Sequence, residues 1–247
     1  LPHIEYYVWG LLFEINCKYS NNYTKTQLYS IMKNLFLIVA VLTCFSGFSQ
    51  KYHWTKTIGS PDTEDLRCIT SDKNGNVFIV GRFNGTAVDF NADAGVNTLS
   101  TNGNYDIFLA KYDSTGKYKW AFNIGGVNYD YSLSVTTDTS GNVIIGGSFM
   151  GTDIDFDPGP ATSLLTSSGT TFDFFLAKYD SSGNYLWAFK VGNTNGSEVV
   201  ASIVTDKNNN IHICGNHVLN SAPFLYGESV DFNPGTGVNN LNFDTLS

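Results

Sequence analysis

The sequence predicts an all-β protein assembled from tandem four-stranded antiparallel sheets, and three observations predict it. Trp54, Trp120 and Trp187 recur at intervals of 66 and 67 residues. Whole motifs recur with them: Asp106-Ile-Phe-Leu-Ala-Lys-Tyr-Asp113 returns as Asp173-Phe-Phe-Leu-Ala-Lys-Tyr-Asp180. A fixed long period marks stacked supersecondary units. Tight-turn signals of the form Asp-x-x-Gly stand at 72–75, 113–116, 138–141 and 180–183, and at 206–209 Asn209 replaces the glycine. In such a turn Asp accepts N–H groups ahead of it, and Gly takes a positive φ. The runs flanking the turns are apolar, β-branched or aromatic, and no 3.6-residue periodicity appears after Gln50.

Two hairpins per repeat make four strands. In the second repeat strand A is read at 132–137, strand B at 143–149, strand C at 174–179 and strand D at 185–189. Strand A carries Ser132 and Ser134, small residues that suit a crowded central channel, and strand B is apolar almost throughout, as suits a strand covered on both faces. A single sheet of this kind cannot bury both faces, so neighbouring repeats must cover them. The expected architecture is therefore a β-propeller, with each Trp in a blade–blade core. The repeats divide at about 51–117, 118–184 and 185–247, the last incomplete. The Asp-Phe pair at Asp89, Asp155 and Asp231 recurs after 66 and then 76 residues, which puts an insertion in the third repeat at about 217–228. Roughly four to eight blades close a ring, so the expectation is an open arc with an exposed apolar C-terminal edge, the N-terminal fragment of a longer protein.

The first fifty residues are read separately. Met32 and Lys33 precede an apolar run at 35–42, and the small residues Gly47 and Ser49 follow it, which reads as a secretory signal peptide at 32–50. Residues 1–31 then read as in-frame sequence upstream of the true start. The whole chain of 247 residues has a net charge of −8, 15% aromatic residues and 15% charged ones. From Lys51 onward there are 11 Lys plus Arg against 20 Asp plus Glu. That aromatic load excludes a disordered chain, and the acidic balance argues against a nucleic-acid partner. No stretch reaches the roughly 18 apolar residues of a membrane span. The two cysteines after Gln50, Cys68 and Cys214, fall at non-equivalent places and read as buried free thiols.

The best copy of the repeat, Gly141-Asn-Val-Ile-Ile-Gly-Gly-Ser-Phe-Met-Gly-Thr152, then Asp155-Phe156 and Asp173 through Ala188, resembles the SBBP-type β-propeller repeat of secreted Bacteroidetes-like proteins. The resemblance covers residues 52–247. It implies a secreted or cell-surface propeller, one module of a longer polypeptide with further blades or domains. It implies no activity.

The segment linking strands B and C carries the candidate chemistry. It reads Asp89-Phe-Asn91-Ala-Asp93-Ala-Gly95 in the first repeat, Asp153-Ile-Asp155-Phe-Asp157-Pro-Gly159 in the second and Asp231-Phe-Asn233-Pro-Gly235 in the third. Oxygen ligands on alternate residues before a turn glycine suit Ca²⁺, and Asp89, Asn91, Asp93, Asp153, Asp155 and Asp157 are the candidate ligands. The competing reading is an Asx-turn with Phe90, Phe156 and Phe232 packed inward. The turn Asp180-Ser-Ser-Gly183-Asn-Tyr-Leu-Trp187 is similar to the Asp-box of sialidases but is longer by a residue before Gly and another before Trp. After Gln50 the histidines are His53, His212 and His217; His212 aligns with Phe78 and Ile144 in strand B and reads as a packed or edge residue, and His217 reads as exposed in the insertion. No nucleophile–base–acid motif, zinc motif or phosphate loop is present. The expected function is a non-enzymatic scaffold with a protein or glycan ligand; the alternative is a carbohydrate-binding or glycosidase-like propeller, with Tyr118, Tyr129, Tyr131 and Tyr185 as stacking candidates.

Overall fold

The computed structural model describes residues 53–194 and 196–219, the strands Glu228–Asp231 and Asn240–Phe243, and three helical positions, Ser30, Lys33 and Asn34. Apart from those three positions, the expected leader at 32–50 and the segment 1–31 lie outside the described residues. Every other regular element described is a strand.

The first repeat folds as β1 (Thr63–Ser71), β2 (Val77–Asn84), β3 (Val88–Asp89), β4 (Thr98–Leu99), β5 (Asp106–Tyr112) and β6 (Tyr118–Ile124). The second follows as β7 (Tyr131–Thr137), β8 (Val143–Phe149), β9 (Ile154–Asp155), β10 (Leu164–Leu165), β11 (Asp173–Tyr179) and β12 (Tyr185–Val191). The third contributes β13 (Gly196–Thr205), β14 (Ile211–Leu219), β15 (Glu228–Asp231) and β16 (Asn240–Phe243). Blade one is the antiparallel meander β1-β2-β5-β6, and blade two is β7-β8-β11-β12. The registers repeat: Lys111 faces Trp120 as Lys178 faces Trp187, and Ala110 faces Ala121 as Ala177 faces Ala188. The two-residue ladders β3–β4 and β9–β10 stand outside the four-stranded sheets, and sequence patterning does not reveal them.

Blades pack in chain order, with β7 against β1 on one side and against β13 on the other. The first junction buries Phe78, Val80, Ile107 and Leu109 of blade one against Val143, Ile145, Phe149 and Phe175 of blade two. The second joins Ile144, Phe174 and Leu176 to Val200 and Ile203. Every residue of β8 is buried, as the apolar run predicts for a strand covered on both faces. The serines of strand A sit at these junctions: Ser132 donates to the Gly146 carbonyl at 3.0 Å, and the Ser134 hydroxyl accepts from Ile203 N of blade three at 2.9 Å.

Two devices repeat in every blade. The first is a bulge. The A–B register slips between Leu66 and Cys68, Ser132 and Ser134, and Val200 and Ser202. The carbonyl preceding the slip presses on a strand-B glycine: a Cβ on Gly81, Gly147 or Gly215 would overlap the oxygen of Asp65, Tyr131 or Val199. The second is the turn chemistry expected from Asp-x-x-Gly. Asp72 Oδ1 accepts from Asn74 N and Asn76 N at 2.8 and 2.9 Å, and Asp138, Asp180 and Asp206 repeat the pattern. Asn209 takes the left-handed conformation, φ 67°, that glycine holds in the other copies.

Gly147→Ala should cost about 3 kcal/mol, the upper range for a single substitution, because the obstruction is backbone and cannot swing aside. A urea midpoint unchanged from wild type would show that the bulge carries no such constraint.

Candidate functional site

The B–C loops are positioned by an aromatic anchor. Phe90 meets Phe83 edge-on at 5.5 Å and Phe108 at 4.9 Å, and Phe156 meets Phe149 and Phe175 at 5.5 and 5.0 Å. The tyrosine of each Ala-Lys-Tyr-Asp run fastens the same residue: Tyr112 donates to the Phe90 carbonyl at 2.7 Å and Tyr179 to the Phe156 carbonyl at 2.9 Å. The inward packing expected of Phe90 and Phe156 is present; Phe232 lies outside the described residues.

The acidic side chains of these loops bond to backbone. Asp89 Oδ1 accepts from Asn91 N and Asn97 N, both at 2.9 Å. Asp155 Oδ1 accepts from Asp157 N at 3.0 Å and Ser163 N at 2.8 Å. Asn91 and Asp157 make the next turn, on Asp93 N and Gly159 N. Asp93 reaches out of its loop to Lys56 and to Tyr118 N, and the lysine and that N–H hold its carboxyl below the usual range. Asp153 adopts φ 53° and sits beside Thr166. Asx-turn bonding thus engages the alternating side chains Asp89, Asn91, Asp155 and Asp157. Among the described residues no three His, Cys, Asp or Glu side chains converge as a metal cage.

The loop of blade two borders a cleft of about 400 Å³ lined by Trp120, Phe122, Asp157, Pro158, Pro160 and Tyr185, with Gly159 and the turn 182–184 between them. The Trp120 and Phe122 rings stack at 5.4 Å. The Trp120 indole N–H donates to the Ser181 carbonyl at 3.4 Å, so the ring lies over the turn glycine Gly183. Tyr185 is fixed through its hydroxyl, which meets the Ser163 hydroxyl at 2.5 Å and accepts from Ala188 N at 2.7 Å. Tyr118 packs edge-on against Tyr112, Tyr129 stacks on Tyr105, and Tyr131 tilts onto Phe172. In blade one the corresponding space is crossed by Asp93 and Lys56, whose counterparts in blade two are Gly159 and Phe122.

The sequence reading missed a set of buried acids. Asp106 and Asp130 are fully buried at the first junction, and Asp173 and Glu198 are buried at the second. Asp106 Oδ2 accepts from Asn102 N and Asn123 Nδ2 at 3.1 and 2.7 Å, while Asp130 accepts from Gly126 N and Met150 N at 2.8 and 3.1 Å. Burial pushes Asp130 up to about 7, against its two N–H bonds and with help from the Asp106 charge; burial also raises Asp106. Burial, then the charge of Asp173, pushes Glu198 up to about 7. Their signal in the sequence is equivalence: Asp106 and Asp173 open strand C, while Glu64, Asp130 and Glu198 open strand A.

Two expectations are corrected. His217 is not exposed: its side chain is only 5% accessible, 2.7 Å from Glu198, because β14 runs to Leu219 before the insertion begins. Both cysteines are free, but neither is fully buried: Cys68 is half-buried, and Cys214 is exposed, since no described strand covers that side of β14. His212 is exposed, 3.7 Å from Asp206.

Tandem antiparallel four-stranded blades, stacked strand A to strand A, define a β-propeller-like repeat protein. No family model matches the chain. It is 29% identical over 200 residues, 72% of its length, to an uncharacterized WD repeat-containing protein of Acanthamoeba polyphaga mimivirus. It is 30% identical over 136 residues, 55% of its length, to the regulatory protein FlaEY of Caulobacter vibrioides. The matched stretch spans 14% of the length of each relative. No helix among the described residues is long and apolar enough to cross a membrane.

Two outcomes test this site. Asp155→Ala removes the acceptor of two backbone N–H groups and should cost about 1–3 kcal/mol by chemical denaturation, equally in calcium and in chelator. A cost that appears only in calcium would place a cation on these oxygens. The junction acids predict a pH effect. Asp130 and Glu198 titrate near 7 when folded and about 4 when unfolded, so the folded state binds more protons between those values. Stability from these groups is full below about 4 and is lost as pH rises through about 7. The thermal midpoint should therefore rise on acidification from pH 7 to about 5, and Asp130→Asn should flatten that slope.

Proposed function

We propose that this chain is a non-enzymatic binding scaffold outside the cell, of the SBBP-repeat type, whose cleft between blades one and two receives a protein partner. The observation that carries the reading is the contrast between blades. Asp89, Asp155 and the turn aspartates of both blades bond nearby backbone amides, yet at one junction the same framework leaves an aromatic-floored, proline-rimmed cleft. Mixed apolar and polar concavities with a few fixed polar groups are the usual form of binding sites. The relatives support a propeller scaffold in general terms, one being named for WD repeats and the other as a regulatory protein. Location outside the cell rests on the leader pattern at 32–50.

A glycan is the second reading, favoured by the stacked Trp120 and Phe122 rings beside the Asp157 carboxylate. Gly159→Asp separates binding from folding, because it places the blade-one side chain into the blade-two cleft. Cross-linking on the producing cells, followed by affinity measurement with the captured protein, should show at least about tenfold weaker binding for Gly159→Asp, with a thermal midpoint within a few degrees of wild type. Unchanged affinity removes the cleft from the proposal. Saturable quenching of tryptophan fluorescence by an oligosaccharide from a glycan array, lost in Gly159→Asp, would replace the protein partner with a sugar. Export is tested by expression from Met32: the exported chain should begin at Gln50, and an uncleaved product retained in the cytoplasm would refute the leader.

A further inference from the structure

Arg67 and Arg82 are the only arginines among the 14 basic residues of the chain, and the fold brings both to one carboxylate. Arg82, on β2, donates from Nε to Asp65 Oδ2 at 3.3 Å. Arg67, at the bulge of β1, donates from Nη2 to the same oxygen. The Arg82 guanidinium lies over the Tyr105 ring, 4.7 Å from its centroid. The Tyr105 ring in turn stacks on Tyr129 at 5.8 Å and 22°. Asp130 N donates to the Tyr105 carbonyl at 2.8 Å, which ties the two tyrosine segments together. Burial raises the Tyr131 hydroxyl, and a bond to Ser148 and the charges of Arg82 and Arg67 act against the rise, so both guanidiniums stand near the first strand of blade two.

The other blades carry no such cluster. By register Asp65, Arg67 and Arg82 correspond to Tyr131, Leu133 and Ser148 in blade two and to Val199, Ala201 and Asn216 in blade three. Blade two closes this place with its own contacts. Tyr131 tilts onto Phe172, the counterpart of Tyr105, at 5.3 Å, and Ser148 Oγ donates to the Glu198 carbonyl at 2.9 Å. Stability does not account for the charges of blade one, because partly exposed ion pairs contribute little and the Arg82 and Arg67 side chains are 30% and 38% accessible. Two guanidiniums on one carboxylate leave a single positive charge uncompensated. The acids at the neighbouring strand ends are otherwise engaged: Glu64 accepts from Ser60, Asp106 from Asn102 and Asn123, and Asp130 from Gly126 N and Met150 N. Arg82 pairs through Nε, and among the described residues its Nη1–Nη2 edge carries no ion pair.

We infer that this cluster is a binding site for an acidic sugar, whose carboxylate is received by Arg82 and Arg67 and whose ring lies against Tyr129. A guanidinium fork matches the two oxygens of a carboxylate, where a lysine offers only a point charge. The single uncompensated positive charge suits a carboxylate, and the net charge of −8 on the chain opposes a ligand of higher negative charge. Tyr129 supplies the flat apolar surface beside the fork: it is 43% accessible and is held in place by its stack on Tyr105. The site shares no residue with the cleft of blade two.

Calorimetric titration with oligosaccharides of glucuronate and of galacturonate tests this. One of them should bind with a Kd below about 1 mM, and at least about tenfold more weakly once its carboxyl groups are reduced to alcohols. Arg82→Ser, the exchange that blade two already tolerates, should weaken binding at least about tenfold and leave the thermal midpoint within a few degrees of wild type. Arg82→Lys, which keeps the charge without the fork, should weaken it as well. Failure of both oligosaccharides to bind overturns the inference, as does equal binding of the acidic and reduced forms or an unchanged Kd in Arg82→Ser. Tighter binding of an Asp- and Glu-rich peptide than of either sugar would assign the cluster to a protein ligand and also overturns it. Sugar binding lost in Gly159→Asp but retained in Arg82→Ser would move the sugar to the cleft, with the same consequence.

Discussion

A four-stranded sheet with two apolar faces cannot stand alone in water, and nearly everything else in this molecule follows from that. Strands β8 and β11 are buried almost end to end, so blade two needs a neighbour on each side. The blades must therefore approach most closely along strand A, which explains the small Ser132 and Ser134 there and their bonds across and along the junction. Cooperative stability in such an array resides in nearest-neighbour junctions as much as in the blades themselves. The tryptophan of strand D belongs to that junction: it is carried by one blade and lies over the turn of the next, where only glycine leaves room for it.

The acidic character of the chain is similarly a property of the architecture. The turn aspartates bond backbone amides two and four residues ahead, and the loop aspartates bond amides two and eight residues ahead. These carboxylates are well partnered. The junction acids differ in kind. Asp130 is fully enclosed with only two backbone N–H partners and a second acid nearby, so burial outweighs bonding and the proton is retained to near-neutral pH. One residue type thus does two jobs, separated by enclosure.

Much of the blade was legible because its signals are local. Period-two runs between Asp-x-x-Gly turns gave strand B without error and strands A, C and D to within one or two residues. What escaped has no local signal. A two-residue ladder such as β9–β10 carries no pattern, and Gly147 inside an apolar run does not announce that a bulged carbonyl presses on it. His217 was misplaced because a long interval between Asp155 and Asp231 reveals an insertion without saying where it starts. Alternating oxygens in the B–C loop serve a turn or a cation equally well in sequence, and the amides that the turn engages, up to eight residues ahead, are set by the path of the whole loop.

The cleft shows how a repeat diverges while its framework stays fixed. In blade one Asp93 bridges the loop to Tyr118 N and to Lys56, a contact across the space between loop and outer strand. Blade two replaces both ends of that bridge. Gly159 has no side chain to cross the gap, and Phe122 turns its ring onto Trp120 instead of offering a charge. The loop still sits where Phe156 and Tyr179 anchor it, so the gap does not collapse. Loss of a single ion pair on a rigid scaffold thereby becomes a cavity with an aromatic floor and an acidic rim. Partly exposed ion pairs contribute little to stability, so such an exchange costs the fold little. The rim of the loop can thus differ from blade to blade while the anchors Phe90–Tyr112 and Phe156–Tyr179 stay the same.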